Sequence, residues 1–523
     1  MPDVAPVIIV VFIVSHRSQA TTVSDVSGWP ENLNVDNWVL RDHLRATSDR
    51  IALRLDDRNV TYAELDGLAS GVAAALRDVH VKQGDRVLIV LPDGVDYAAA
   101  LFGTFRYGAV VVMVNPDLST EALVGILNRA RATAAIVDAG FRESFQKALT
   151  ETGQDTVVLD PAVIEPGDFE TVATSPEDPA IWLFSGGTTG SPKAVAQTHR
   201  SLVNTTILYG QGSLALVPDD ITISVPKLYF GYATGSNLLF PLSVGASSVL
   251  FPEHPTPDAL FDRIERHRPT VMVNVPSAIN QMVSHPDAEQ RDLSSLRLAT
   301  SAGEALPESL YHRWKDRFGV ELLDGLGTAE MWHIFITNTV GDVRPGTLGK
   351  VVPGFEIKAC DEDGVAVRPG EVGRLWVRGD SLGLWYFEDP ERTAEAFRGE
   401  WFVGGDLVSI DEEGYVTHRG RADDAIKVKG KWFRPQEVES VLLENEAVRE
   451  VAVVAVSDED GLLKPVAFVV AHPEVSEQDL INWVLARLDA YKHPRRVYFV
   501  DKLPQTHLGK VDRAALKRLG TVS

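Results

Sequence analysis

The sequence predicts an α/β protein: a large N-terminal domain of parallel-rich sheets with a β-barrel-like subdomain, then a small C-terminal α+β domain. Three observations predict it. Strand-like and helix-like blocks alternate from about Trp38, which implies a parallel sheet with crossover helices. Beyond Val343 short strands punctuated by glycine turns take over. The chain has 523 residues, more than one hydrophobic core can serve, since single cores stop growing at roughly 250–300 residues.

Taken in order, Arg86 to Leu91 is a continuous apolar run of the kind buried on both faces, and it ends in Pro92-Asp93-Gly94. Tyr97 to Tyr107 reads as a helix and Ala109 to Val114 as the next strand. Further strands are expected at 133–137, 180–184, 244–251, 271–275 and 296–301. After the change of texture, turns at Asp363-Gly364, Pro369-Gly370 and Glu413-Gly414 separate antiparallel pieces that include 373–377 and 414–418. A helix over 435–444, a strand over 451–456, a helix over 477–488 and a strand over 497–500 then suffice for a domain of about 100 residues.

Composition excludes several functions. A net charge of −23 repels a phosphate backbone, so no nucleic-acid partner is expected. The single cysteine, Cys360, forms no intramolecular disulfide and has no neighbouring base, so it is read as structural. Val7 to Val14 is apolar but too short to span a bilayer, and it lacks a basic flank for a signal peptide. Residues 1–30 are therefore expected as an extension: a short strand, a disordered start or a misassigned start codon. No membrane partner is expected, and the cytoplasm is the expected compartment.

The chemistry begins at Ser185-Gly186-Gly187-Thr188-Thr189-Gly190-Ser191-Pro192-Lys193, directly after the expected strand 180–184. Three glycines let backbone amides approach an anion closely. The hydroxyls donate to phosphate oxygens or ligate Mg²⁺, and Lys193 adds charge. A plain flexible turn does not need this density of hydroxyls ending in a lysine. Ser191-Pro192 before the lysine rules out a Walker A loop, and the glycine spacing is not that of a dinucleotide fingerprint.

This loop resembles the signature of the AMP-forming adenylating enzymes, the superfamily of acyl-CoA synthetases, peptide-synthetase adenylation domains and firefly luciferase. The resemblance runs from about residue 38 to 518. It implies a large domain over 31–421 that holds the ATP and acyl sites. A small mobile domain over 422–523 would pivot at Asp423 between two half-reactions. Gly303, Glu304 and Ala305 resemble the segment flanking adenine. Asp324-Gly325-Leu326-Gly327-Thr328-Ala329-Glu330 resembles the next loop, in which Glu330 would ligate Mg²⁺. Leu326 stands where many members place an aromatic residue, and Ala329 where a threonine is usual. Asp406 matches the ribose-binding aspartate, and a carboxylate can accept from both ribose hydroxyls. Arg421 resembles the arginine that reaches the ribose or phosphate. Lys510, in Leu503 to Val511, resembles the adenylation lysine. A carboxylate attacking a polyanion meets like-charge repulsion, which a cation at the entering oxygen offsets. Lys510, Glu330 and Thr188 are thus the implied catalytic residues. The segment with Lys427, Gly430 and Trp432 would line a tunnel for the pantetheine arm.

Lys227 to Gly235 and Met331 to Phe335 resemble the aryl branch of the family, most closely the benzoate-CoA ligases. That resemblance implies an acyl pocket of Phe230, Gly231, Tyr232, Gly327, His333 and Ile334, a flat slot suited to a planar ring. Gly231 stands where alanine is expected, and the missing methyl is expected to leave room for a ring substituent. The implied reaction joins an aromatic carboxylate to a thiol through an aryl-AMP, using ATP and Mg²⁺. The thiol is that of coenzyme A or of a carrier protein's phosphopantetheine, and a homodimer is the assembly considered. A non-catalytic nucleotide-binding relative is the other reading; retention of Lys510, Glu330 and Asp406 opposes it.

Overall fold

The computed structural model describes residues 28–185, 193–422, 426–428, 431–433, 435–445, 447–457, 463–504 and 511–521. Residues 186–192 of the expected phosphate loop, the expected hinge Asp423, Gly430 and Lys510 lie outside the described residues, as does the apolar run Val7 to Val14.

Two parallel-rich sheets hold the strands between Ile51 and Val351. The first has the order Val157–Leu159, Ala134–Val137, Arg86–Val90, Val110–Met113, Pro179–Ser185, Lys193–Thr198. All its pairings are parallel except the last. The second is nine-stranded. Its parallel centre runs Glu321–Gly327, Leu298–Ser301, Val271–Asn274, Ile221–Ser224, Ser247–Val249 and Ile51–Arg54. Antiparallel strands close both edges, with Ile334–Thr337 and Lys350–Val351 on one side and Asn59–Thr61 on the other. The sheets are thus mixed, with antiparallel strands added to parallel centres.

Helices between the strands begin and end where the sequence provides caps. Tyr62–Asp78 starts at a capping box made by Thr61 and Glu64, and Val95–Tyr107 stops at Gly108, whose φ is +77°. These two helices touch at Gly103, where a Cβ would stand 2.5 Å from the Cβ of Val72. The contact is locked by Arg106, fully buried, which donates to both oxygens of the equally buried Asp36 at 2.8 and 2.9 Å and to Asp66 at 2.6 Å.

The antiparallel piece is a five-stranded sheet built from Glu356–Cys360, Val372–Arg378, Trp401–Ile410, Phe397–Arg398 and Val416–Arg421. Cys360 is buried there, and burial pushes its thiol up, away from the reactive thiolate. Beyond residue 425 a hairpin and a three-stranded sheet pack with helices Pro435–Leu443, Glu477–Leu485 and Arg513–Thr521. Among the described residues no strand ladder crosses 422–425. Side-chain contacts do cross it: Asn280 Nδ2 donates to the carbonyl of Arg449 at 2.8 Å.

Candidate active site

The candidate site is assembled at the carboxyl ends of parallel strands, where open α/β sheets bind ligands. Ser301 and Asp324 are register partners at the ends of neighbouring strands. Gly303, Glu304 and Ala305 follow the first and are exposed; Gly303 takes φ +87°, and Glu304 accepts from the Ser277 amide at 3.1 Å. Asp324 is buried, its Oδ1 has no hydrogen-bond partner among the described residues, and burial pushes its carboxyl well up. Leu326, Gly327, Thr328 and Ala329 then form a half-exposed strip. Gly325 and Gly327 permit close strand approach: a Cβ on Gly327 would stand 2.5 Å from the His333 carbonyl oxygen.

Glu330 sits in a one-turn 3-10 helix, Ala329–Met331, capped by the Thr328 hydroxyl. Its turn is hung on two other segments. Gln197 Nε2 donates to the Ala329 carbonyl at 2.6 Å, and the Gly383 amide to the Glu330 carbonyl at 2.8 Å. The buried Glu330 carboxylate accepts from the Tyr386 hydroxyl through Oε1 at 2.6 Å, while Oε2 has no partner among the described residues. Lys193 Nζ lies 4.8 Å from the centre of the Tyr386 ring. Lys193 is the register partner of Ser185, so the two ends of the phosphate loop are adjacent strand ends. Burial and the Glu330 charge push the Tyr386 phenol up, and Arg421 is near enough for its charge to oppose that rise. Arg421 pairs in register with Asp406, whose Oδ1 lies 3.2 Å from His418 Nε2. Lys193, Glu330 and Arg421 therefore gather around Tyr386, a residue that no sequence motif singled out, and Asp406 is the strand neighbour of Arg421.

Among the described residues no group of three or more His, Cys, Asp or Glu side chains could hold a metal by itself. One buried carboxylate with a spare oxygen suits an ion that draws its other ligands from substrate phosphates and water, which is the usual habit of Mg²⁺.

Residues expected to form the acyl pocket follow and neighbour the same turn. Trp332 takes φ +64° and ψ −54°, an unfavourable conformation for a bulky side chain, and it turns the chain directly into His333. His333 is buried among the rings of Tyr209, Tyr232 and Phe240, with centroids 5.4, 5.3 and 4.7 Å away. Its Nε2 lies 3.0 Å from the Tyr232 carbonyl oxygen and 3.1 Å from Ser236 Oγ. Burial holds the imidazole down to about 4, so it is neutral at pH 7. The Tyr232 hydroxyl pairs with Thr300 Oγ1 at 2.5 Å. Phe230 is half-buried against Tyr229, and Ile334 is buried beside Gly325. The expectation for Gly231 is corrected: the space of its missing methyl is filled, since a Cβ there would stand 2.5 Å from Leu183 Cδ2. The glycine accommodates the Leu183 side chain where a methyl would stand.

Lys427 and Trp432 are backbone register partners in the hairpin Ile426–Val428/Lys431–Phe433. Tyr386, Gln197, Tyr209 and Phe240 were not found from sequence. Each acts through a partner 56 or more residues away or by closing an aromatic cage, and neither leaves a local pattern.

Residues 40–387 match the AMP-binding enzyme family, and residues 437–510 match the AMP-binding enzyme C-terminal domain. The chain belongs to the AMP-binding enzyme family. It is 38% identical to the benzoate–CoA ligase of Thauera aromatica, over 93% of this chain and 96% of the relative. It is 32% identical to a 3-hydroxybenzoate–CoA/4-hydroxybenzoate–CoA ligase of the same organism, over 92% of this chain and 96% of that one. Among solved structures, the anthranilate CoA ligase AuaEII in complex with anthranoyl-AMP superposes with a TM-score of 0.89 at 35% identity, covering 94% of this chain and 98% of that one. A benzoate CoA ligase from Burkholderia xenovorans LB400 gives 0.85 at 37% identity, covering 92% and 99%. Among the described residues no helix of this family member is long and apolar enough to cross a membrane.

Proposed function

We propose that this AMP-binding enzyme is an AMP-forming aryl-CoA ligase acting on benzoate or a substituted benzoate. The observation that carries the reading is the Ala329–Trp332 turn. It presents Glu330 to the cationic cluster of Lys193 and Arg421 on one side. On the other it delivers His333, three residues on, to an aromatic cage. A phosphate-facing carboxylate and a slot for a planar ring are thus adjacent.

In the first half-reaction a carboxylate oxygen of the acid bonds to the α-phosphorus of ATP, the bond to pyrophosphate breaks, and aryl-AMP forms. In the second the sulfur of CoA bonds to the acyl carbon, the bond to AMP breaks, and the thiol proton is lost to solvent. Bound Mg²⁺ would neutralise phosphate charge beside Glu330. Ser185–Lys193 is assigned to the departing pyrophosphate, Asp406 to the ribose, and Lys510 to the entering oxygen. The unpaired, buried Asp324 Oδ1 suits an amine donor such as that of adenine. His333, being neutral, orients the ring and does not pair with the acid's charge. Lys427, Gly430 and Trp432 are assigned to the pantetheine arm and Asp423 to the hinge. The compartment is read as the cytoplasm, which supplies both ATP and CoA.

The test is pyrophosphate release over a panel of benzoates, hydroxybenzoates and anthranilate, with and without CoA, the product being weighed by mass spectrometry. An aryl-CoA thioester is expected. Lys510→Ala is expected to slow adenylation about 10²–10³-fold while sparing thioester formation from preformed aryl-AMP. Release of aryl-AMP that CoA does not consume would redirect the reading to a carrier-protein acceptor. Adenylation unchanged in Lys510→Ala would overturn the assignment of that lysine.

A further inference from the structure

We propose that Tyr386 is a positioning residue of the nucleotide site, in which one side chain fixes the Glu330 carboxylate and holds Lys193 apart from it. The proposal rests on the reading above that Glu330 faces the metal and Lys193 the phosphates.

The geometry is specific. Tyr386 is only 4% exposed. Its hydroxyl donates to Glu330 Oε1 at 2.6 Å, a length typical of a charge-assisted bond. Its ring carries the Lys193 ammonium at 4.8 Å, within range of a cation–π attraction. The phenol cannot swing away. Residues 384–387 run as an extra strand along Lys193–Thr198, with Leu384 N–H donating to Ala196 at 2.9 Å, Phe387 N–H to Ala194 at 2.9 Å, and Val195 bridging Tyr386. The Tyr386 amide donates to Thr393 Oγ1 at 3.0 Å, and Phe397 stands edge-on to the ring at 5.4 Å.

The arrangement solves a charge problem. Lys193 and Glu330 have opposite charges and touch the same ring system, yet no ion pair joins them. Direct pairing would satisfy each group and withdraw both from the nucleotide. The Tyr386 side chain meets the two groups at different places, so the ammonium rests on a π face that leaves its hydrogens for phosphate oxygens. The hydroxyl occupies one carboxylate oxygen and leaves Oε2 for the cation. Tyr386 therefore sets the metal dependence through its hydroxyl and the metal-independent grip on phosphate through its ring.

Two variants separate these roles. Tyr386→Phe keeps the spacer and loses the hydroxyl; Tyr386→Leu loses both. Calorimetry of ATP with Mg²⁺ and of ATP in EDTA, without any acid, gives the binding readout. A Mg²⁺ titration of pyrophosphate release gives the kinetic one, and melting temperatures monitor folding. Tyr386→Phe is expected to raise the Mg²⁺ half-saturation about tenfold and to leave ATP binding in EDTA unchanged. Tyr386→Leu is expected to weaken both. An unchanged Mg²⁺ half-saturation in a folded Tyr386→Phe variant overturns the proposal, and that variant decides alone if Tyr386→Leu does not fold. Wild-type protein that binds MgATP but activates no aryl acid would sink the ligase reading and leave this one standing. Variants that bind MgATP like wild type would do the reverse.

Discussion

At the scale of single residues, Gly231 shows how packing decides what a missing methyl means. The sequence marks it as a site where a methyl is absent, but only the packing tells what fills the gap, and it is Leu183. Gly231→Ala is therefore expected to push the Leu183 side chain toward the acid site. The KM for the acid should rise several-fold with the KM for ATP unchanged, and stability should fall by about 1–2 kcal/mol. Steady-state kinetics with both substrates varied, together with urea melts, would check it. A gain of activity on smaller acids with no loss of stability would show that Leu183 yields without cost. The same scale explains what could be read in advance. Glu330, Asp406 and the phosphate-loop residues stand in contiguous motifs, whereas Tyr386 meets Glu330 across 56 residues and Gln197 meets Ala329 across 132. No spacing rule connects such pairs.

At the scale of elements, the loop from Lys227 to Phe230 is held rigid from below. The Asp93 carboxylate accepts from the Leu228 amide at 2.8 Å, and the Tyr97 hydroxyl donates to the Leu228 carbonyl at 2.9 Å. Burial pushes the Asp93 carboxyl up to about 6 and the neighbouring Lys227 ammonium down to about 8. The sign follows from proton counting. Between pH 4 and 6 the folded state holds a proton on Asp93 that the unfolded state has released, so stability falls as pH rises through that window. Asp93→Asn keeps the acceptor and removes the charge. Its stability relative to wild type should climb from pH 4 to pH 6 by up to about 3 kcal/mol and then level off. Denaturant melts over a pH series would show it, and an opposite slope would mean that the ionised carboxylate stabilises the loop. Element boundaries were less legible than elements. The strand expected over 244–251 shrinks to Ser247–Val249 because Gly245, at φ +78°, still belongs to the preceding turn. The helix expected from Tyr97 begins at Val95, directly after Gly94. Continuous apolar runs such as Arg86–Val90 declare a buried strand, but its ends are set by register with neighbours.

At the scale of the whole molecule, among the described residues the C-terminal part meets the helix Pro276–Val283 through hydrogen bonds from Asn280 and Gln281. Asn280 donates to the Arg449 carbonyl and accepts from Arg313 Nη1 at 3.0 Å. Nearby, the charge of Lys502 acts on His254, which also senses Lys227 at the foot of the acyl loop. If the small domain turns between half-reactions, Asn280 is part of what holds this orientation. A single side chain to backbone bond contributes about 1 kcal/mol, or about fivefold in population. Asn280→Ala is expected to slow adenylation two- to fivefold and to leave thioester formation from aryl-AMP unchanged or faster. Separate single-turnover assays of the two steps would decide it, and equal slowing of both would remove the contact from any role in orientation. The two-part organisation was legible from the change of texture near Val343 and the polar junction at 420–424. The docking contact was not, because Asn280 and Arg449 belong to ordinary amphipathic elements.

The stretch from Asp324 to Ile334 has a thermodynamic consequence. Within eleven residues it carries the strip assigned to the nucleotide, the carboxylate assigned to its metal, and the imidazole assigned to the ring pocket. The Gly327 backbone rests on the His333 backbone, so ordering one end of the stretch is expected to help order the other. Nucleotide and acid are then linked ligands: by reciprocity, whatever factor one gains in affinity from the other's presence is returned unchanged. Selectivity for the acid is in that sense written partly in the affinity for ATP.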